Sequence, residues 1–336
     1  MAKRRKNPAD NILPPRVYKT KYCYYFKPTS RESFSLGPLT MSMAKLWAKY
    51  DAMIAEMADI MTFSKLWNKF LASPYFLELS PRTQTDYLQH QKKLLAVFGK
   101  MKADNIKPEH VRAFMDKRGL QSKTQANHEK SSMSRVFRWG YERGYVKSNP
   151  CQGVSKFSKK ARDVYTPDEH YYQIYQEANT ELKIGMEISY LCAARQGDVL
   201  DLKWSDIMED GIFIEQNKTG KKQIKKWTPR LHAAIELARQ LPGNKTTGYV
   251  IPGPSGGKIN KKTLNNWWNK AKKIAEGKLG CAIPSTFHDL KAKSISDYEG
   301  STRDKQLFSG HKTEGQVLVY DRKTKVTPTL DLPIVE

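Results

Sequence analysis

Six side chains in the second half of this chain could together break and remake a phosphodiester: Arg195, Lys218, His288, Lys291, His311 and Tyr320. The densest piece is Leu307-Phe308-Ser309-Gly310-His311-Lys312, running on to Val319-Tyr320-Asp321-Arg322, which sets a tyrosine nine positions after a histidine. Upstream stand Ala194-Arg195-Gln196-Gly197-Asp198 and His288-Asp289-Leu290-Lys291. A phosphodiester resists attack because the nucleophile meets two anionic oxygens, and the transition state gathers more charge on them. Catalysis is then mostly positioning and cationic stabilisation. A tyrosine nucleophile starts from a pKa of about 10 and must lose its proton during attack. The leaving 5′-oxygen needs a proton in return. Cations on the phosphate, a base, an acid and a phenol complete the set, and these residues supply it without a metal.

Singly, each of these motifs is a weak signal. Their occurrence together in this order, with the turn Asn217-Lys218-Thr219-Gly220 between the first two pieces, is a strong one. Lys221 and Lys222 follow Lys218 closely and are its rivals. His288 could instead brace a helix, and Tyr320 could be a core tyrosine. The polar Asp321-Arg322-Lys323 beside Tyr320 argues for an accessible phenol.

Lys and Arg number 58 against 34 Asp and Glu, giving a net charge of +24 and a pI near 9.7. A field of this sign favours nucleic acid, or an anionic membrane surface, as partner. No apolar run approaches the roughly 18 residues that span a bilayer. No apolar segment follows the basic head Met1-Ala2-Lys3-Arg4-Arg5-Lys6, as a secretory signal would require. The four cysteines, Cys23, Cys151, Cys192 and Cys281, are far apart and form no C-x-x-C pair. They read as free thiols in a reducing compartment. The histidines show no metal-ligand spacing, so neither metal nor cofactor is expected.

The elements that must carry the six residues follow from patterning, and a length of 336 residues allows two or three domains. The expected class is mainly α with small β-sheets (α+β). Residues 1–57 read as a small sheet module: short strands at Arg16–Lys19, Tyr22–Phe26 and Ser33–Gly37, then a helix over 40–57. Such a sheet suits a DNA groove, with Lys3, Arg4, Arg5, Lys6 and Arg16 on phosphates. Residues 61–153 read as four helices. Thr62 caps the first, which carries the stripe Phe63, Leu66, Trp67 and Phe70. Ser80-Pro81 opens the second, with Tyr87, Leu88, Leu94, Leu95 and Phe98 as its apolar positions. Lys107-Pro108-Glu109 opens the third, and the fourth covers 125–141. Residues 154–165 form a basic linker, with Lys156, Lys159, Lys160 and Arg162 exposed and able to follow a DNA backbone. Residues 166–336 read as helices with one hairpin, 211–216 and 224–227. Thr166 is the expected cap of the first of these helices, with Pro167 at its first position. A tail from Val326, holding Leu330, Leu332, Ile334 and Val335, would pack on its own domain or on a neighbouring subunit.

On the motifs quoted, residues 166–322 resemble the catalytic domain of the tyrosine recombinases, in particular the phage-type integrases. Residues 61–153 are similar to that family's helical core-binding domain, a weaker match by itself. Leu13-Pro14-Pro15-Arg16-Val17-Tyr18, with Tyr24-Tyr25-Phe26 and Leu36-Gly37, resembles its arm-binding domain. The resemblance implies a site-specific recombinase that cuts and rejoins DNA through a 3′-phosphotyrosyl bond and a four-way junction. It implies that Arg195 holds the scissile phosphate and Asp198 supports the site. Lys218 would protonate the leaving 5′-oxygen, and His288 would assist proton transfer near the phenol. His311 would hydrogen-bond a non-bridging oxygen, and Tyr320 would attack. The implied partners are duplex DNA with core and arm attachment sites, a homotetramer on that DNA, a DNA-bending host factor and an excisionase. The implied place is the cytoplasm of a bacterial host. Because the phosphotyrosyl link stores the diester's energy, rejoining needs neither nucleotide nor metal.

One position departs. The family has arginine three residues after the first histidine, and here it is Lys291. Lysine keeps the charge and loses the planar fork that grips two oxygens. Lys291 serves as a working substitute, or marks a slow or inactive enzyme, or yields the role to Lys293 or Arg303. A type IB topoisomerase, and a non-catalytic DNA-binding relative, are the rival readings of the whole chain.

Overall fold

In the computed structural model, residues 8–159, 161–242, 248–253, 257–324, 326–327 and 329–330 are described. Lys3, Arg4, Arg5, Lys6 and Lys160, all expected to meet DNA, lie outside them, as do Leu332, Ile334 and Val335 of the tail. The chain folds as two compact units, Met1–Lys159 and Lys160–Glu336. Among the described residues no helix is long and apolar enough to cross a membrane.

The first unit contains two separate apolar cores. In the first, strands β1 (Val17–Lys19), β2 (Cys23–Phe26) and β3 (Phe34–Pro38) pair antiparallel in sequential order. Strand alternation turns Val17, Tyr24, Phe26 and Leu36 inward, against Leu46 of helix α1 (Met43–Asp59). Arg16, just before β1, is exposed, has φ 60°, and donates to the Pro28 carbonyl.

The second core begins at α2 (Phe63–Leu71), where the Thr62 hydroxyl accepts from the Lys65 amide. Phe63, Leu66, Trp67 and Phe70 are all fully buried, as their helical spacing requires. A short α3 (Pro74–Leu77), not apparent in the sequence, precedes α4 (Pro81–Phe98). On α4, Tyr87, Leu94 and Phe98 face the core, but Leu88 is 46% exposed because it falls on the opposite face. The two helices expected after Lys107 join as α5 (Pro108–Tyr141), broken at Ser122 (φ −162°, ψ 104°). The linker is tied down rather than loose at its start. Asn127 brackets the Phe157 backbone with two hydrogen bonds (2.8 and 2.9 Å), and the Arg112 guanidinium stacks on the Phe157 ring. Lys156 and Lys159 beside it are exposed.

The second unit packs α6 (Asp168–Glu177), α7 (Thr180–Leu191), α8 (Gln196–Asp201), α9 (Pro229–Arg239) and α10 (Lys261–Leu279) around one core. Helix α6 starts one residue later than expected. Thr166 does not cap it; its hydroxyl is buried without a hydrogen-bond partner, and Pro167 takes the cap position. Strands β4 (Gly211–Glu215) and β5 (Lys222–Lys226) form the hairpin. Helix α11 (Asp289–Asp297) is buried along nearly its whole length. Two short helices that the sequence reading missed, α12 (Thr302–Ser309) and α13 (Glu314–Leu318), carry the chain to His311 and Tyr320.

Candidate active site

Arg195 sits at the N-cap of α8, two residues after Ala193, which is held at φ 50°. A non-glycine residue there is strained, and such strain collects at functional turns. The Arg195 guanidinium donates to the side-chain oxygen of Gln216 at the end of β4. One turn along α8, the buried Asp198 accepts from the Asn217 amide at 3.0 Å, so the Arg195 helix also holds the hairpin turn. Lys218 projects from that turn, exposed.

His288 is the N-cap of α11. Burial pushes its imidazole below the ordinary value, and Arg195, Lys291 and Arg322 add to this against the opposing pull of Asp289. One turn later Lys291 is fully buried, and its ammonium donates to the Ala193 carbonyl and, at 3.5 Å, to that of Ser309. Burial first, then Arg195 and Lys225, lower it to about 7. Of its two rivals, Lys293 is engaged with Asp168 and Asp297, within reach of the Tyr165 and Tyr190 rings. Arg303 binds Gln306 and lines a cavity of about 570 Å³ beside His311, together with Lys221, Lys222 and Lys312.

His311 follows Gly310, the left-handed residue (φ 67°) that ends α12. A Cβ on Gly310 would collide with Gln216 and Gln223 of the hairpin, which approaches that closely. His311 Nδ1 lies 2.7 Å from the Ser309 hydroxyl, whose single proton is given to the Lys305 carbonyl. Nδ1 must then be the donor, which leaves Nε2 as a lone pair, buried and without a partner. Burial, then the charges of Lys291, Arg195 and Lys218, push this imidazole down to about 4.

Tyr320 lies in the turn after α13, half-buried, with its ring 4.9 Å from that of His311 and 6.3 Å from that of His288. Its segment is fastened on both sides. The Ser296 hydroxyl donates to the Tyr320 carbonyl at 3.1 Å. Asp321 pairs with Lys305 at 3.0 Å, and Arg322 pairs with Asp289 at 2.8 Å, all four side chains being nearly or fully buried. Arg162 of the linker binds the same Asp289 from the other side. Burial alone would raise the Asp289 carboxyl, but bonds from Arg162, Thr286 and Arg322 hold it at about 2. Of the polar neighbours of the phenol, Asp321 and Arg322 are therefore internal anchors, and Lys323 is exposed.

The phage integrase family matches residues 165–326, and the phage integrase central domain matches residues 63–156. The chain belongs to the phage integrase family of tyrosine recombinases. It is 25% identical to the integrase of Escherichia phage HK022 over 342 residues, covering 94% of this chain and 95% of that protein. It is 27% identical to the integrase of Enterobacteria phage 434 over 203 residues, a match spanning only 56% of that relative and 57% of this chain. The fold is similar to that of the lambda integrase chain in the crystal structure of its dimer bound to a COC′ core site (TM-score 0.69, 20% identity, 98% of this chain and 99% of that one).

His288, His311 and Tyr320 meet ring to ring, Arg195 and Lys291 act on both histidines, and the exposed Lys218 acts on His311, with Lys291 fully buried. The sequence reading missed Gln216, Lys225, Ser309 and Asp289. Strand alternation could have flagged Lys225 and Gln223 as facing one way, but nothing local says what they face.

Proposed function

We propose that this integrase cuts and rejoins duplex DNA at specific sites through a 3′-phosphotyrosyl intermediate. The reading rests on one observation: the Tyr320 ring lies 4.9 Å and 6.3 Å from two histidine rings, beside the cations Arg195 and Lys291. The Tyr320 oxygen attacks phosphorus, the bond to O5′ breaks, and Lys218 gives that oxygen its proton. His288 takes the phenolic proton. Arg195 pairs with the phosphate; as the anionic phosphate enters, His311 Nε2 takes up a proton from solvent and then donates it in a hydrogen bond to a non-bridging oxygen. Attack by a 5′-hydroxyl of the partner strand reverses the step. The basic cavity of Lys221, Lys222, Arg303 and Lys312 receives the flanking backbone.

The whole protein acts through three functional parts, residues 1–57 on arm sites, 61–153 on core sites and 166–336 on the phosphate. It works as a homotetramer on a four-way junction in the bacterial cytoplasm, with a bending factor and an excisionase setting direction. The test is adduct trapping on a nicked half-site taken from DNA flanking the chain's own gene. A covalent protein–DNA adduct is expected for the native chain and none for Tyr320→Phe. An adduct formed by Tyr320→Phe would refute the assignment, and no adduct from the native chain would favour a non-catalytic relative.

A further inference from the structure

The last carbonyls of α12 lack partners within the helix, as at any helix C-terminus. Here three successive ones are taken by side chains of the hairpin. Gln223 donates to Leu307 O at 2.7 Å, Lys225 to Phe308 O, and Gln216 to Ser309 O at 2.9 Å. The Lys225 ammonium also sits 4.9 Å from the Phe308 ring centre, and that ring stacks on Tyr298 at 4.2 Å. A half-buried cation at this end of a helix is favoured by the helix dipole. The same hairpin carries Lys218 at its turn, and the same helix end runs through Gly310 into His311. The two halves of the site thus meet at this row of carbonyls.

We infer that Lys225 is a positioning residue for the leaving-group proton, acting through Lys218. Its ammonium, seated on the Phe308 carbonyl, holds the hairpin in register with the helix that ends at His311. Without it the hairpin keeps its strand pairing, but Lys218 no longer stands where O5′ departs. The inference rests on the proposed role of Lys218.

Single-turnover adduct formation on a half-site tests this with two substrates, the ordinary phosphodiester and one with a 5′-bridging sulfur, which leaves without a proton. Lys225→Met is expected to cleave the phosphodiester about 100-fold more slowly, the scale of a lost general acid. It should recover to within several-fold of the native chain on the sulfur substrate. Lys225→Arg keeps a cation on the carbonyl yet cannot release a proton near neutral pH, so it should cleave the phosphodiester nearly normally. Native rates for Lys225→Met, no recovery on sulfur in a folded variant, or a Lys225→Arg as slow as Lys225→Met would each overturn the proposal. The last would make Lys225 the acid itself. Should Lys225→Met not fold, Lys225→Leu, which also removes the donor to the Phe308 carbonyl, takes its place. Lys218→Ala runs in parallel: if sulfur does not rescue it, the reading of Lys218 has failed rather than that of Lys225.

Discussion

Replacing Lys291 by methionine is expected to stabilise the protein while crippling cleavage. The Lys291 ammonium is fully buried and falls from the ordinary 10.5 to about 7. At about 1.4 kcal/mol per pH unit, keeping it charged costs folding roughly 4–5 kcal/mol. Methionine removes that cost but strands the Ala193 carbonyl, a loss of about 1–3 kcal/mol, whereas Ser309 O keeps Gln216. A net gain of roughly 1–4 kcal/mol remains, at about 2–4 °C in Tm per kcal/mol for a unit of this size. The sign with pH is definite. Between about 7 and 10.5 the unfolded chain holds a proton that the folded lysine has lost, so the native protein gains stability as pH rises. Methionine's advantage is therefore full below pH 7 and shrinks toward pH 10. Urea denaturation of both chains from about pH 6 to about pH 9.5 reads this difference. An advantage that is absent, or that does not change with pH, refutes the reasoning. Cleavage should fall about 10- to 100-fold, because Arg195 and His311 lose the tie between their loops.

Lys218→Ala is expected to lose phosphodiester cleavage and to regain it on a 5′-bridging sulfur substrate, read as adduct formed in one turnover; absence of rescue removes Lys218 as the acid. Asp289→Asn leaves Arg322 buried without its counter-charge and should cost about 3–5 kcal/mol in a denaturant titration at neutral pH. The native carboxylate, held at about 2 against an ordinary 3.8, stabilises above pH 3.8 and loses that contribution as pH falls through 2. The asparagine variant should lack this acid-limb loss, and a cost below about 1 kcal/mol would show the Asp289 pairs to be weak.

The parts legible in the sequence were those written in local pattern. The stripe from Phe63 to Phe70 and its Thr62 cap needed only helical spacing. The hairpin needed Asn217-Lys218-Thr219-Gly220 between two short strands. The illegible parts depend on what packs opposite. Leu88 obeys helical spacing loosely and ended on the wrong face. Helices α12 and α13 have only eight and five residues, too few for periodicity to register. Asp321 and Arg322 looked like solvent residues because charge usually marks a surface, and only tertiary structure supplies Lys305 and Asp289. The placement of Lys291 on two carbonyls is likewise invisible to any motif, since the ties come from Ala193 and Ser309, far away in sequence.

The shared carboxylate of Asp289 bears on where this chain can be divided. The family match opens at residue 165, and the helical pattern of the second unit opens at 168. Either would look like a natural first residue for an isolated catalytic fragment. Both would discard Arg162, leaving Arg322 alone to balance a carboxylate with no solvent exposure. The nucleophile's segment would then hang from an under-neutralised anchor, and a sluggish fragment could be mistaken for a sluggish enzyme. A fragment that begins before Ala161 keeps the second guanidinium, and with it the seat on which Tyr320 is presented.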